Sequence, residues 1–354
     1  MSLSPAELLF YAKSISLPDM GIEGQLKLKN TKMLCIGAGG LGSSLLQTLA
    51  SAGIGTIGII DHDVVELSNL QRQTLYRHED IGLKKIIAAK KYLDLLNPHI
   101  NIYSYPENFN MINAQKLISQ YDIIADCTDD LANRYLVNQY CVKLNKPFVF
   151  AGIWQHQGQC MLFHGKHGPC FECLFPPESA TDLLADCSNS GVLNILPNLL
   201  GTLQANLIIQ YNLTQKTTLA NYFYQLNITN LELRRYSVGQ NPQCSLCSLS
   251  LGKAFSIKNI SAAKLNIHKT NNAFILLDVR SREEHAAQNL GDLCIPLPEL
   301  SQRITELNPD MPIIIYCKSG KRSMMAARIL SAHAFTNIAV LEGGIEAYKT
   351  LADT

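Results

Sequence analysis

The chain has 354 residues, enough for two domains that each bury a core of their own. Hydrophobic residues make up 47% of it and charged residues 17%, which is typical of a globular protein and not of a disordered or fibrous one. The net charge is +1 and no long run of one sign occurs, so the charge pattern favours neither a nucleic acid nor an anionic membrane as partner.

The N-terminal segment lacks the apolar core of a secretory signal and carries Glu7, Lys13 and Asp19. The most apolar stretch, 191–210, contains Pro197 and several side-chain amides, which makes it a poor membrane span. We therefore expect a soluble, cytoplasmic protein. Its eleven cysteines would then be reduced, so that paired cysteine spacings indicate metal binding or catalysis.

Strands and helices alternate along the first 235 residues or so. Short apolar segments predict strands at 32–37, 57–60, 121–125 and 147–150, with helices at 41–52, 84–96 and 131–144. This alternation predicts an α/β fold with a doubly wound, Rossmann-like and mostly parallel sheet, whose ligands bind beyond the carboxyl ends of the strands. A second, smaller α/β unit begins near residue 256, with strands predicted at 274–277 and 312–316 and a helix at 323–333.

The first predicted strand runs into a G-x-G-x-x-G motif formed by Gly37, Gly39 and Gly42. Such glycines let the backbone approach phosphates, and the N-terminus of the following helix favours their negative charge. Asp61 follows Gly42 by nineteen residues, where an acid binds a ribose hydroxyl. The motif alone fits NAD as well as ATP.

Charged residues downstream favour ATP over NAD. Arg72 offers a fixed guanidinium that suits a triphosphate, and Lys85 offers a second cation. Asp129 and Asp130 follow the third predicted strand and suit Mg²⁺, which binds a few carboxylates together with phosphate oxygens. Hydride transfer requires no such set.

Three segments, 37–73, 82–85 and 126–129, resemble the MoeB/ThiF family of ubiquitin-activating-type adenylyltransferases, and the resemblance extends over residues 1 to about 248. It implies a homodimer that uses ATP and Mg²⁺ to adenylate the C-terminal Gly-Gly carboxylate of a small ubiquitin-like sulfur-carrier protein. It also implies catalytic roles for Arg72, Lys85 and Asp129. The resemblance implies that ATP is held by Gly40, Asp61, Asn69, Arg72 and Lys85 and Mg²⁺ by Asp129. Gly39 of the glycine motif and Asp130 beside Asp129 complete the candidate nucleotide and Mg²⁺ site.

The chain departs from this family at two positions. Lys13 stands where the family has an arginine that reaches the ATP of the partner subunit, and Asp130 replaces the usual asparagine. Lysine supplies charge without a bidentate fork, so we expect slower adenylation or altered nucleotide handling.

Two C-x-x-C pairs supply four thiolates, the set that structural Zn²⁺ prefers; a redox dithiol is the alternative. They are Cys170 with Cys173 and Cys244 with Cys247. The MoeB/ThiF resemblance implies zinc. Cys187 lies in a polar, turn-rich stretch, where related enzymes use a cysteine to form a thioester or disulfide with the sulfur-transfer partner. The alternative is that it is dispensable.

Cys317 begins the loop Cys-Lys-Ser-Gly-Lys-Arg-Ser between a predicted strand and a helix. Consecutive backbone N–H groups, the helix N-terminus and the cations Lys318, Lys321 and Arg322 favour a thiolate or persulfide there. A phosphatase loop is excluded because Arg322 is one residue too close to Cys317. Together with 276–280 and 341–344, this loop resembles a rhodanese domain.

The predicted organisation is an adenylyltransferase domain at 1–248, a linker at 249–255 and a rhodanese-like domain at 256–354. The predicted function is adenylation of the carrier, followed by sulfur transfer from a Cys317 persulfide, with Cys187 as resolving thiol. An upstream donor such as a cysteine desulfurase would load Cys317, and the thiocarboxylate product would serve molybdopterin or thiamine biosynthesis. The alternatives are an adenylating enzyme with a regulatory rhodanese domain, a ubiquitin-type conjugator and an NAD-binding module.

Overall fold

The computed structural model describes residues 2–165, 167–177, 191–244, 246–248, 257–265, 274–291, 293–333 and 335–352. The chain forms two compact units, each with its own sheet. Among the described residues, no helix is both long and apolar enough to cross a membrane.

The sheet of the first unit has eight strands. They are β1 (Lys32–Ile36), β2 (Thr56–Ile60), β3 (Asn101–Tyr105), β4 (Ile123–Asp126), β5 (Phe148–Trp154), β6 (Gln157–Phe163), β7 (Tyr222–Asn227) and β8 (Glu232–Ser237). Their order is β3-β2-β1-β4-β5-β6-β7-β8. The first five in this order pair in parallel, and β6, β7 and β8 join them antiparallel. The predicted doubly wound parallel arrangement is confirmed, whereas β3 and the antiparallel strands were not predicted.

Helices cover both faces of the parallel strands, as a sheet buried on both sides requires. In this part of the chain they are α1 (Pro5–Phe10), α2 (Ala12–Ile15), α3 (Gly21–Asn30), α4 (Gly40–Ala52), α5 (Lys85–Leu96), α6 (Met111–Ser119), α7 (Leu131–Leu144), α8 (Phe171–Leu174) and α9 (Ile195–Thr214). Short 3₁₀ turns lie at Leu67–Asn69, His78–Asp80 and Thr217–Asn221. The apolar stretch at 191–210 therefore belongs largely to α9.

Helix α9 packs closely against α4 in the core of the first unit. Leu45 and Leu49 of α4 and Leu200 and Ile208 of α9 are fully buried in the same apolar cluster. Gly201 lies at the crossing, where a Cβ would collide with the Leu41 carbonyl oxygen. This packing fixes the position of α4, the helix that begins at the glycine motif.

The second unit contains a five-stranded parallel sheet. Its strands are β9 (Lys258–Ile260), β10 (Ile275–Asp278), β11 (Leu293–Cys294), β12 (Ile313–Tyr316) and β13 (Ile338–Leu341), in the order β11-β10-β12-β13-β9. Its helices are α10 (Arg282–Ala287), α11 (Lys321–Ala332) and α12 (Gly344–Ala352), with 3₁₀ turns at Leu297–Glu299 and Ile304–Glu306. The second small α/β sheet is thus confirmed. The predicted linker at 249–255 lies outside the described residues.

Candidate nucleotide, metal and sulfur-transfer sites

Three adjacent strands of the first sheet end at the same level. Ile36 of β1 pairs with Ile60 of β2 on one side and with Asp126 of β4 on the other. The glycine motif, Asp61 and the 126–129 segment follow these strand ends directly. The sequence-predicted residues are therefore brought to one edge of the sheet, where open α/β folds bind their ligands.

The glycines of the motif leave space at the start of α4. Gly37 has φ of +92°, and a Cβ there would lie 2.8 Å from the Cys127 carbonyl oxygen, so the position requires glycine. Gly39 caps α4 without any side-chain hydrogen bond to the cap. The nearest neighbour that a Cβ on Gly39 would meet is the Gln73 amide nitrogen, at 3.9 Å. The N-terminus of α4 thus has room beside it for a phosphate.

Asp61 and Asp63 connect the end of β2 to the glycine motif and to α5. The Asp61 carboxylate accepts hydrogen bonds from the backbone N–H groups of Ala38 and Asp63, both at 2.8 Å. Lys85 is buried, and its Nζ lies 2.8 Å from Asp63 Oδ2. Burial acts to raise the pKa of Asp63, but the hydrogen bond and charge of Lys85 outweigh it and lower that pKa. Asp63 therefore stays ionised and orients the Lys85 ammonium.

Asn69 and Arg72 lie on the segment that crosses above the glycine motif. Asn69 is buried, and its Oδ1 accepts a hydrogen bond from Glu66 N at 3.3 Å. The Arg72 guanidinium donates to the Ser68 carbonyl oxygen at 2.9 Å. The Arg72 carbonyl oxygen lies 3.6 Å from the position that a Cβ would take on Gly40. Arg72 and Gly40 are therefore neighbours in space, although 32 residues separate them in the chain.

Tyr76 ties the same segment to the glycine motif. Its hydroxyl donates a hydrogen bond of 2.7 Å to the Ala38 carbonyl oxygen. Burial raises the pKa of Tyr76, so the phenol keeps the proton that it donates. Sequence reasoning missed Tyr76 and the position of Gln73, because neither belongs to the charged set that points to ATP.

The turn after β4 presents two further carboxylates. Asp126 is fully buried and accepts hydrogen bonds from the backbone N–H and the hydroxyl of Thr128, at 3.0 and 2.7 Å. This turn leaves Asp129 exposed and Asp130 half-buried at the sheet edge. Two carboxylates next to a phosphate site fit Mg²⁺, which completes its shell with phosphate oxygens and water. Lys13 lies in α2 and is exposed.

The four cysteines of the two C-x-x-C pairs form one cluster. The sulfur atoms of Cys170, Cys173, Cys244 and Cys247 all lie within 4.8 Å of one another. The Cys170 and Cys173 sulfurs are 3.9 Å apart. Four sulfurs at about 2.3 Å from a tetrahedral zinc are about 3.8 Å from each other, so the cluster has the dimensions of a structural zinc site. The Asn241 N–H also points at Cys173 Sγ, at 3.4 Å, as ligating thiolates commonly accept such bonds.

Cys317 lies at the carboxyl end of β12 in the second unit and is almost completely buried. The Gly320 N–H donates a hydrogen bond to its sulfur at 3.2 Å. Gly320 has φ of +92° and caps α11, so the left-handed turn that brings this N–H to the sulfur also begins the helix. The structure thereby supplies one of the backbone donors that the sequence predicts. Cys187 lies outside the described residues.

The N-terminus of α12 holds the Cys317 loop from the other side. Ile345 N–H donates to the Cys317 carbonyl oxygen at 2.9 Å, and Glu346 N–H donates to the Lys318 carbonyl oxygen at 3.2 Å. Gly344 has φ of +63°, and a Cβ there would lie 2.5 Å from both of these oxygens. The loop is thus fixed by backbone contacts that only glycine permits.

Acidic side chains pair with the loop cations Arg322 and Lys318. Arg322 makes a bidentate pair with Glu284, at 2.6 and 2.8 Å, and Lys318 Nζ lies 3.7 Å from Glu346. The Arg322 hydrogen bond lowers the pKa of Glu284 to about 2. The positive charge that the sequence assigned to the thiol is therefore partly neutralised.

Three features together define the class of this protein. They are a sheet edge with a glycine-lined phosphate cleft, a four-sulfur cluster, and a separate unit with a buried cysteine loop. These features are those of a nucleotide-binding α/β protein with a sulfurtransferase-type unit. The profile of the ThiF family matches residues 11–246, and that of the rhodanese-like domain matches residues 260–351. The chain belongs to the ThiF family and carries a C-terminal rhodanese-like domain.

Several named proteins are similar to this chain. A probable molybdopterin-synthase adenylyltransferase of Porphyra purpurea is 36% identical, over 96% of this chain and 92% of its own length. The sulfur carrier protein adenylyltransferase of Thermus thermophilus is 38% identical over 70% of this chain, and the adenylyltransferase and sulfurtransferase MOCS3 of Arabidopsis thaliana is 32% identical over 98%. The crystal structure of E. coli MccB with ATP aligns with a TM-score of 0.57 and 27% identity, over 64% of this chain and 68% of MccB.

Proposed function

We propose that this enzyme uses ATP to adenylate the C-terminal glycine of a small ubiquitin-like sulfur-carrier protein ending in Gly-Gly, and then converts it to a thiocarboxylate through a persulfide on Cys317. The observation that carries the proposal is that one chain holds both the phosphate cleft and the Cys317 loop. Relatives named for both activities align along nearly the whole chain.

In the adenylation step, a carboxylate oxygen of the carrier attacks the α-phosphorus of ATP and pyrophosphate leaves. The N–H groups at Gly39 and Gly40 bind phosphate oxygens, and Arg72 and Lys85 stabilise the charge that develops on them. Asp61 and Asn69 hold the nucleotide. Asp129 and Asp130 hold Mg²⁺, which supplies further neutralisation of phosphate charge. Catalysis of this kind consists of positioning and electrostatic stabilisation.

In the sulfur-transfer step, the terminal sulfur of the Cys317 persulfide attacks the acyl carbon, and the bond from that carbon to AMP breaks. This leaves the carrier acyl group joined to Cys317 through two sulfurs. A thiol then attacks the Cys317 sulfur, which releases the carrier thiocarboxylate and leaves a disulfide. We assign this resolving role to Cys187; a thiol reductant restores both cysteines, and a sulfur donor such as a cysteine desulfurase reloads Cys317.

Zinc bound by Cys170, Cys173, Cys244 and Cys247 would join two chain segments that are 70 residues apart.

The proposed organisation of the chain is an adenylyltransferase domain at 1–248, a linker at 249–255 and a rhodanese-like domain at 256–354. We also propose a homodimer and a cytoplasmic location, where thiols stay reduced. The relatives' names favour molybdopterin over thiamine biosynthesis as the destination of the sulfur.

The proposal is tested by incubating the protein with ATP, Mg²⁺, a sulfur donor and candidate carriers, followed by mass spectrometry of the carriers. A carrier that is a substrate gains one sulfur in place of one oxygen, and it supports ATP–pyrophosphate exchange. Failure of every Gly-Gly carrier to support exchange would overturn the adenylation step.

The role of Cys317 is tested separately by Cys317→Ser. We expect this variant to keep carrier-dependent pyrophosphate exchange and to lose thiocarboxylate formation. Cys294→Ser is the matched control, because Cys294 lies half-buried in the same sheet but outside the loop. If Cys317→Ser still forms thiocarboxylate, the rhodanese-like domain is regulatory; isopeptide-linked products would instead identify a conjugating enzyme.

A further inference from the structure

Gln73 is a buried polar residue beside the phosphate cleft. Only 4% of it is exposed. Its amide nitrogen is the atom nearest to the open space at Gly39, the residue that caps α4. Gln73 follows Arg72 directly, so it lies on the same segment that crosses above the glycine motif.

The Gln73 carboxamide is poorly satisfied within the protein. Its oxygen is enclosed and has no hydrogen-bond partner, and the structure shows no hydrogen bond of its nitrogen to any described residue. The enclosed oxygen lacks a donor, which a phosphate cannot supply. The nitrogen is the atom of the carboxamide that faces the open space at Gly39, and its N–H groups can donate to an acceptor bound there.

The backbone of Gln73 is held firmly on both sides. Its N–H donates to the Asn69 carbonyl oxygen at 2.9 Å, and its own carbonyl oxygen accepts from Tyr76 N–H at 3.2 Å. The Tyr76 hydroxyl in turn bonds to Ala38 of the glycine motif. The amide is consequently presented to the cleft by a fixed scaffold, which is the preorganisation that binding of a charged ligand needs.

We propose that the Gln73 amide is a further nucleotide ligand, which donates a hydrogen bond from Nε2 to a phosphate oxygen bound at the N-terminus of α4. The inference rests on the proposed function, because it takes the cleft to bind ATP. A phosphate oxygen is the acceptor that suits this place, because the helix N-terminus and the Gln73 amide both offer N–H donors there, and among the described residues Gln73 Nε2 is the one atom within 4 Å of the Cβ position on Gly39. The Gln73 amide would thus bind the nucleotide as an uncharged donor, in addition to Asn69, Arg72 and Lys85.

The test compares Gln73→Met with wild type in equilibrium binding of ATP with Mg²⁺ and of adenosine. Methionine keeps the shape of the side chain and removes the donor, so we expect ATP affinity to fall by about tenfold or more, the usual loss for a hydrogen bond to a charged group. Adenosine affinity should stay unchanged, because adenosine has no phosphate. Gln73→Glu, which keeps shape and hydration but places a negative charge beside the phosphate, should show the same selective loss.

Gln71→Met is the matched control, because Gln71 lies two residues earlier and is exposed. The melting temperature of each variant without nucleotide supplies an independent readout. Removal of an unsatisfied buried amide should leave the melting temperature of Gln73→Met unchanged or raise it. An ATP affinity within about twofold of wild type, or an equal loss for adenosine, would overturn the inference. A wild-type protein that binds no ATP would instead overturn the proposed function.

Discussion

Substitution of Gly344 tests whether the start of α12 holds the Cys317 loop in place. A Cβ on residue 344 would be 2.5 Å from the carbonyl oxygens of Cys317 and Lys318, and a Cβ is essentially never found closer than 3.0 Å to another atom. The backbone must therefore move by several tenths of an ångström. Because φ is +63°, alanine also adds roughly 1–2 kcal/mol of conformational strain. With about 1–3 kcal/mol for overpacking, Gly344→Ala should destabilise the second unit by roughly 2–5 kcal/mol.

The assay combines hydrogen exchange of amides in β12 and α11 with loading of Cys317 by a sulfur donor, read by mass spectrometry. Gly343→Ala is the control, because Gly343 also has positive φ, but its Cβ would meet Ala347 and not the Cys317 loop. We expect both variants to exchange faster and Gly344→Ala to lose persulfide loading to a greater extent. Equal loading in Gly344→Ala and wild type, with unchanged exchange, would refute the assignment.

Three further predictions concern charge, space and metal. Glu284→Gln should destabilise α11 by about 1 kcal/mol at neutral pH, a value reduced because Glu284 and Arg322 are each about a third exposed. Pairing lowers the pKa of Glu284 from 4.5 to about 2, so the contribution of Glu284 to stability is present above about pH 4.5 and is lost as the pH falls toward 2. The difference in amide hydrogen exchange between Glu284→Gln and wild type should therefore shrink on acidification, and a difference that grows would contradict this prediction. Gly39→Ala should fold normally yet bind ATP more weakly. Gly42→Ala should melt at a lower temperature, because its Cβ would collide with the Gly37 carbonyl oxygen. ATP titrations and thermal melts distinguish the two effects. Cys244→Ser should reduce zinc content well below one equivalent per chain by metal analysis and lower the melting temperature, and full zinc occupancy would exclude this ligand.

The strands that sequence reasoning identified are those buried on both faces. β1, β2, β4 and β5 read as continuous apolar runs, because helices cover both sides of them. β3 lies at the edge of the sheet, and β7 and β8 are half-buried or exposed and contain polar residues among their apolar ones. β3 pairs with β2, and β7 pairs with β6, between segments that are far apart in the chain, so short-range patterns carry little information about these pairings.

The positions of the candidate site residues could be predicted because parallel strands all end at one edge. Gly39, Asp61 and Asp129 each follow a strand, and chain order alone places them together. The pairs that orient the site could not be predicted in this way. Lys85 with Asp63 and Glu284 with Arg322 depend on side-chain directions across separate segments, which a linear motif does not contain.

The pairing of Arg322 with Glu284 bears on which groups of the loop face the Cys317 sulfur. Arg322 cannot turn to the sulfur without giving up two short hydrogen bonds to Glu284, whereas the Gly320 N–H donates to the sulfur directly. A Cβ on Gly320 would meet nothing closer than 3.7 Å, which means that this position needs glycine for its φ of +92° and not for space. Gly344 needs glycine for both reasons. The loop therefore relies on backbone dipoles held by two glycines, and its charged side chains act mainly by holding α10 and α12 around it.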